Sequence, residues 1–347
     1  MDSFPAMAGE WRQFLCEQGA RFDGGRVADF GDPVLERAQV FHGNIIADLS
    51  HYGLIEVTGK DAEIFLAAQF TSDVRQISES ASQLSAWCTP QGRVLAIFRI
   101  FQRAGAYYLL LPGELLEVIL RRLRMYILRS DVRLADASST LVRIGLSGPA
   151  LPGFLAEAFR ELPANPNQCL QNGAYTLLCL PGSSARFIVI SDPGAAKKLW
   201  LDRQENAIPT GAGPWTLLEI LTGIPSVHPK TTEAFLPQML NLEALGGLCF
   251  SKGCYPGQEI IARLQYRGQL KRRMYLGLAN TTRIPEPGDE VVSGDSEEIQ
   301  SVGTVVAAER HPQGGVALLA VLEIGAAQGK LCLYEPGGLA LILQSLP

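Results

Sequence analysis

The 347-residue sequence contains no run of about 18 apolar residues free of charge, so no membrane-spanning helix is expected. Its nearest approach, residues 314 to 327, is interrupted by Glu323 and has the length of buried strands. The first ten residues carry Asp2 and Glu10 and no basic stretch leading into an apolar one, which argues against a secretory signal. There is no Cys-x-x-Cys pair. The seven cysteines, Cys16, Cys88, Cys169, Cys179, Cys249, Cys254 and Cys332, are scattered and odd in number. That speaks against a zinc site or a disulfide framework and for reduced thiols in a soluble, cytoplasmic protein with no bound metal. Positive charge is not in excess either: 30 Lys and Arg stand against 35 Asp and Glu, a net charge of −5. No direct nucleic-acid contact is therefore expected, and no membrane contact. Charged residues make up 19% and hydrophobic ones 47%, which implies a folded chain long enough for two or three domains.

The densest chemistry lies at residues 252 to 259, Lys-Gly-Cys-Tyr-Pro-Gly-Gln-Glu. Pro256 fixes φ at the first central position of a turn, and Gly257 supplies the positive φ that follows. The next residues, Gln258 to Arg263, read as the start of a helix or a well-ordered strand. Cys254 is thus expected on a rigid turn, with Lys252 close enough to favour the thiolate, the form that attacks carbon or binds metal. The competing reading is a small buried cysteine beside glycines that serve a tight connection. Cys249 reads as packing, beside Leu248 and Phe250.

Around this motif the pattern is mixed. Residues 10 to 20 place Trp11, Phe14 and Leu15 at helical spacing, with Gly19 at the end. A strand at 53 to 58, a helix from Ala62 to Gln69 with Asp61 as its cap, strands over 84–101 and 106–111, and a helix at 114–126 follow. In that last helix Leu115, Val118, Ile119 and Leu123 are expected inward. A second run has strands at 142–147, 175–180 and 186–190, and helices at 151–159, 194–204 and 214–221. Beyond Lys271 the texture changes to short strands broken by glycine and proline, the pattern of a small β-barrel.

The motif, with Ala262-Arg263, Arg267-Gly268 and Lys271-Arg272-Arg273 after it, resembles the signature of the YgfZ family. These are folate-binding relatives of the glycine-cleavage T-protein, an aminomethyltransferase, and they assist iron–sulfur proteins. Asp48-Leu-Ser50, Val57 to Asp61, Thr71-Ser-Asp73, Gly92-Arg93-Val94, Gly223-Ile-Pro225 and residues 237 to 248 fit the same pattern. The resemblance implies an α+β fold of T-protein type: two ferredoxin-like units and a C-terminal β-barrel in a three-domain ring around a central channel. Its implied boundaries are residues 1–138 with 214–268, residues 139–213, and residues 269–347.

The resemblance also implies tetrahydrofolate, or another folate, as cofactor. Tyr52 and Trp215 fall where family members place aromatic residues against it, and Glu219, one helical turn after Trp215, is suited to the pterin's guanidine-like edge. Read from the residues alone, the two aromatics are packing residues and Glu219 an ordinary helix glutamate. Lys252, Gly253, Tyr255, Gly257, Gln258, Glu259 and Arg263 are the implied supports of Cys254, although Glu259 and Arg263 at i,i+4 also suit a simple ion pair. One departure is informative. Where aminomethyltransferases carry an aspartate beside the reactive folate nitrogen, this sequence has Ala96, and no Asp or Glu occurs between residues 80 and 113. Alanine exchanges no proton, so T-protein catalysis is not expected. The function implied is an accessory protein for assembly or repair of iron–sulfur enzymes, including radical enzymes that methylthiolate tRNA, with client or assembly proteins as partners. The alternative is a folate-dependent aminomethyl- or methyltransferase.

Overall fold

The computed structural model describes residues 7–159, 161–203, 205–294 and 299–346. The helices are α1 (Gly9–Glu17), α2 (Pro33–His42), α3 (Ala62–Gln69), α4 (Leu116–Arg124), α5 (Leu151–Ala158), α6 (Pro193–Arg203), α7 (Ala212–Leu221) and α8 (Gln258–Arg267). The first thirteen strands are β1 (Arg21–Asp23), β2 (Arg26–Asp29), β3 (Ile45–Asp48), β4 (Tyr52–Thr58), β5 (Gln83–Cys88), β6 (Val94–Arg103), β7 (Ala106–Pro112), β8 (Arg133–Asp136), β9 (Val142–Ser147), β10 (Cys169–Asn172), β11 (Tyr175–Cys179), β12 (Arg186–Ser191) and β13 (Ile208–Thr210). The last six are β14 (Arg272–Ala279), β15 (Glu290–Ser293), β16 (Ser301–Arg310), β17 (Val316–Glu323), β18 (Leu331–Leu333) and β19 (Leu339–Gln344). Among the described residues, no helix is long and apolar enough to cross a membrane.

The chain divides into two compact units. The first takes the chain up to Leu66, Val74–Gln83 and Phe98–Trp215; the second takes Ala67–Asp73, Leu84–Ile97 and the chain from Thr216. In the first unit a six-stranded sheet runs in the order β10-β11-β12-β9-β3-β13, antiparallel except for the parallel pair β3 and β13. Its β-branched residues Ile46, Val142, Ile144 and Val189 pack with Trp11, Phe14, Leu15, Leu151, Leu199 and Trp200 into one fully apolar core. Trp11, Phe14 and Leu15 come from α1 at the expected helical spacing, and Gly19, at φ +90°, follows its end. Strand β4 pairs with β7 on one side and β8 on the other.

Three sequence expectations need correction. The segment 84–101 is not one strand, because Pro90 and Gly92, at φ +74°, turn the chain between β5 and β6. Val118 is exposed, because the buried stripe of α4 is Leu116, Ile119, Leu120 and Leu123, and Val118 stands off it. Asp61 occupies the position before α3, its carbonyl accepting from Phe65 N at 2.9 Å, but its carboxylate accepts from the Asp131 backbone N–H at 2.8 Å instead of capping the helix, so it ties a distant loop to the turn.

In the second unit, β14-β17-β16-β15-β18-β19 close into the expected barrel. The core holds Val291, Val305, Val316, Leu318, Leu322 and Leu333. A 3-10 turn at Pro237–Leu240 leads to Asn241, whose side chain donates to the Met274 carbonyl at 3.0 Å and accepts from Arg273 Nε at 3.0 Å. The Gln238 amide donates to the Ile261 carbonyl at 2.7 Å. These bonds hold the segment before the motif against both α8 and the start of the barrel.

Candidate functional site

The motif is a loop of alternating anchors and exposed residues, all within the second unit. Lys252 is buried, and its ammonium donates to the carbonyls of Ala67 (2.6 Å), Phe70 and Ser72 (2.9 Å). Those carbonyls lie at and beyond the C-terminal end of α3, where the helix dipole favours a cation. The acceptor segment is itself fixed. Thr71 Oγ1 donates to the Gly247 carbonyl at 2.7 Å and accepts from Ala86 N at 2.9 Å, and Cys249 N donates to the Thr71 carbonyl at 2.9 Å.

The next two residues, Gly253 and Cys254, are exposed. Tyr255 then returns to the interior, its ring 5.0 Å from the Lys252 ammonium. Its hydroxyl is buried with no hydrogen-bond partner among the described residues, and burial first, then the neighbouring Cys88 and Cys249, push its pKa well above the ordinary value. Gly257 closes the loop. At φ +81° and ψ −1°, it occupies the second central position of a type II turn that bonds Gln258 N to the Tyr255 carbonyl at 3.2 Å. A Cβ on it would lie 2.5 Å from the Thr89 carbonyl oxygen and 2.6 Å from Gly92 Cα, so the turn is pressed onto the β5–β6 connection. Gln258 opens α8, with Glu259 in its first turn. Glu259 and Arg263 are exposed and form no ion pair among the described residues.

Cys254 therefore differs from most of the other cysteines. Cys88, Cys169 and Cys332 are buried, and burial pushes the Cys88 thiol far up and the Cys169 thiol up to about 11. Cys179 is buried and raised as well. Cys249 is half-buried, its sulfur 3.5 Å from Ser251 Oγ. Cys16 is exposed on α1 but has no comparable loop around it.

The residues implied for folate sit as follows. Tyr52 opens β4, half-buried, with its ring 4.5 Å from that of His51. Trp215 is fully buried on α7, pressed on the backbone of Gly145, with the Arg186 guanidinium 4.5 Å from its ring centre. Its indole N–H, like the buried hydroxyl of Thr210, finds no hydrogen-bond partner among the described residues. Glu219 is half-buried further along α7. Ala96 is fully buried on β6, in the second unit.

The GCVT N-terminal domain matches residues 30–169. The tRNA-modifying protein YgfZ of Shigella boydii serotype 4 (strain Sb227) is 32% identical over 274 residues, which cover 79% of this chain and 84% of that protein. The chain belongs to the YgfZ family. The crystal structure of the glycine cleavage system aminomethyltransferase T from Bartonella henselae shares its fold: the TM-score is 0.74 at 16% identity, with 99% of this chain and 98% of that chain covered. Among the described residues of this YgfZ-family chain, no group of three or more His, Cys, Asp or Glu side chains is placed to hold a metal ion.

The structure also gives a physical account of the Asp48-Leu-Ser50 pattern. Asp48 is fully buried and accepts from Trp11 Nε1 at 2.8 Å, from Ser50 Oγ at 2.8 Å and from Ser50 N at 3.1 Å. Desolvation raises its pKa, opposed by those bonds and by Arg143. Arg143, equally buried, has its pKa lowered by burial to about 10. It donates to the carbonyls of Ser138 (2.6 Å), Leu141 (2.5 Å), Ser50 (3.2 Å) and Tyr52 (2.8 Å). The loop that presents Tyr52 is thus fixed by Asp48 accepting from Ser50 and by Arg143 donating to the Ser50 and Tyr52 carbonyls; the sequence pattern included Asp48 but not Arg143. The sequence signal for Arg143 was a lone arginine inside the apolar strand at 142–147.

Proposed function

We propose that this chain is a cytoplasmic, folate-binding accessory protein that supports iron–sulfur enzymes, including radical enzymes that methylthiolate tRNA, and that Cys254 is its working thiol. The observation that carries this reading is the loop geometry. Lys252, Tyr255 and Gly257 are buried and bonded or wedged, while the two residues between the first pair of anchors are presented outward. Rigid loops that expose a single reactive group are a common way to display function on a scaffold. The name of the Shigella relative, a tRNA-modifying protein, favours a link to tRNA modification.

Tyr52 and Trp215 are the residues that would hold folate. The first unit suits a polar aromatic ligand, since it leaves the indole N–H of Trp215 and the hydroxyl of Thr210 buried without partners, groups that a ligand or an ordered water satisfies. Tetrahydrofolate, when bound, supplies a carrier for one-carbon units at its ring nitrogens. Aminomethyl transfer is disfavoured, because Ala96 offers no proton-exchanging group. Two measurements test the reading. Calorimetric titration with tetrahydrofolate should give binding that Tyr52→Ala weakens about tenfold, as loss of a ring contact worth roughly 1.4 kcal/mol would. Unchanged affinity would remove Tyr52 from the site. In cells lacking the gene, methylthiolated tRNA should fall and return with the intact chain; no fall would refute the accessory role.

A further inference from the structure

Helix α8 begins four residues after Cys254, and its exposed composition is unusual for a solvated helix. Ile260 is 39% exposed and Tyr266 is 72% exposed, and Phe250 meets the Tyr266 ring edge-on at 5.9 Å. Arg263 and Arg267 lie on the same side of the helix at i,i+3 and i,i+7 from Ile260, and Lys271 follows just beyond its end. All three cations are exposed and none has an ion-pair partner among the described residues, whereas Arg272 is paired with Glu323 at 2.8 Å and Arg273 with Asn241. Glu259 is the single carboxylate of the helix. In a chain of net charge −5, this is a concentrated positive patch around exposed aromatic and aliphatic surface.

We propose that the outward face of α8, Ile260, Arg263, Tyr266 and Arg267, with Lys271 beside it, docks an acidic surface of the iron–sulfur client and brings that client to Cys254. Charge complementarity selects an acidic partner: three unpaired cations and one carboxylate attract a surface of opposite sign and repel a basic one. Exposed Tyr and Arg are residue types that protein interfaces favour. A protein surface fits better than single-stranded RNA, because RNA binding needs successive stacking rings along a groove, and the helix itself offers one exposed aromatic. The proposal rests on the client reading above and adds the place and charge of the contact.

The test uses the full chain, fluorescently labelled, and two probes: a purified radical enzyme that methylthiolates tRNA, from the same cells, and an oligouridine. Anisotropy titrations compare the intact chain with the double variant Arg267→Glu/Lys271→Glu and with Tyr266→Ala. The expected result is client binding that weakens about tenfold or more in the double variant and on raising salt, weakens in Tyr266→Ala, and leaves the oligouridine unbound. Melting temperature and folate affinity should stay at the values of the intact chain, since these side chains are exposed. Equal client affinity in the double variant overturns the proposal, as does absence of client binding by the intact chain. Charge-sensitive binding of oligouridine alone overturns it in favour of RNA. If the intact chain fails to bind folate or to restore methylthiolation, the functional reading falls for reasons independent of α8; if it does both while the double variant binds client normally, only the docking face falls.

Discussion

Gly257→Ala is expected to destabilise the second unit by about 3 kcal/mol. Two costs act together. At φ +81° an alanine sits in the left-handed region, at about 1 kcal/mol. Its Cβ would also fall 2.5 Å from a backbone carbonyl oxygen and 2.6 Å from a backbone Cα, neither of which can move aside as a flexible side chain would. Relief requires the turn to lift off the β5–β6 connection, which withdraws the Tyr255 ring and loosens the start of α8. Thermal denaturation should show the melting temperature fall by roughly 5–10 °C. Gly253→Ala is the internal control. Nothing lies within 4 Å of a Cβ at that position, and its backbone is not left-handed, so its stability should stay within about 0.5 kcal/mol of the intact chain. If the two variants melt alike, the turn is not the anchor described here.

Lys252→Met should cost about as much, by a different route. The methionine keeps most of the stem's apolar contact but removes the ammonium that donates to three carbonyls, those of Phe70 and Ser72 in buried surroundings. An unsatisfied buried polar group costs roughly 1–3 kcal/mol, offset in part because a buried ammonium no longer has to be desolvated. The balance is a loss of about 3 kcal/mol, read as a lower denaturation midpoint. Lys252→Arg should not restore it, since a planar guanidinium cannot point three donors at carbonyls that converge on one ammonium nitrogen. A Met variant as stable as the intact chain would mean that water replaces the ammonium at those carbonyls.

These two residues also mark what was legible in the sequence. Pro256 and Gly257 act locally, and dihedral preference alone predicted their turn; the periodicity of α1 and the strand texture beyond Lys271 were local in the same sense. The partners of Lys252 lie 180 to 185 residues away, so the sequence offered a basic neighbour for a thiolate where the fold makes a brace for the loop. The role of Arg143 was hidden for the same reason, because the Ser50 and Tyr52 carbonyls it serves lie 93 and 91 residues away. The break at Thr89 to Gly92 was masked by apolar residues on both sides, and Val118 was misplaced because the buried face of the helix runs through Leu116 and Leu120 instead. Residues that display a group were readable; the distant residues that hold it were not.

The measurement closest to the central claim is methylthiolated tRNA in cells that lack the gene and carry either the intact chain or Cys254→Ala at equal abundance. Cys254 is exposed, so the substitution leaves the loop's anchors in place and tests the thiol alone. The expected result is that the intact chain restores the modification and Cys254→Ala leaves it at the level of the deletion. Full restoration by Cys254→Ala would contradict it, and would make the loop a structural element without a working thiol.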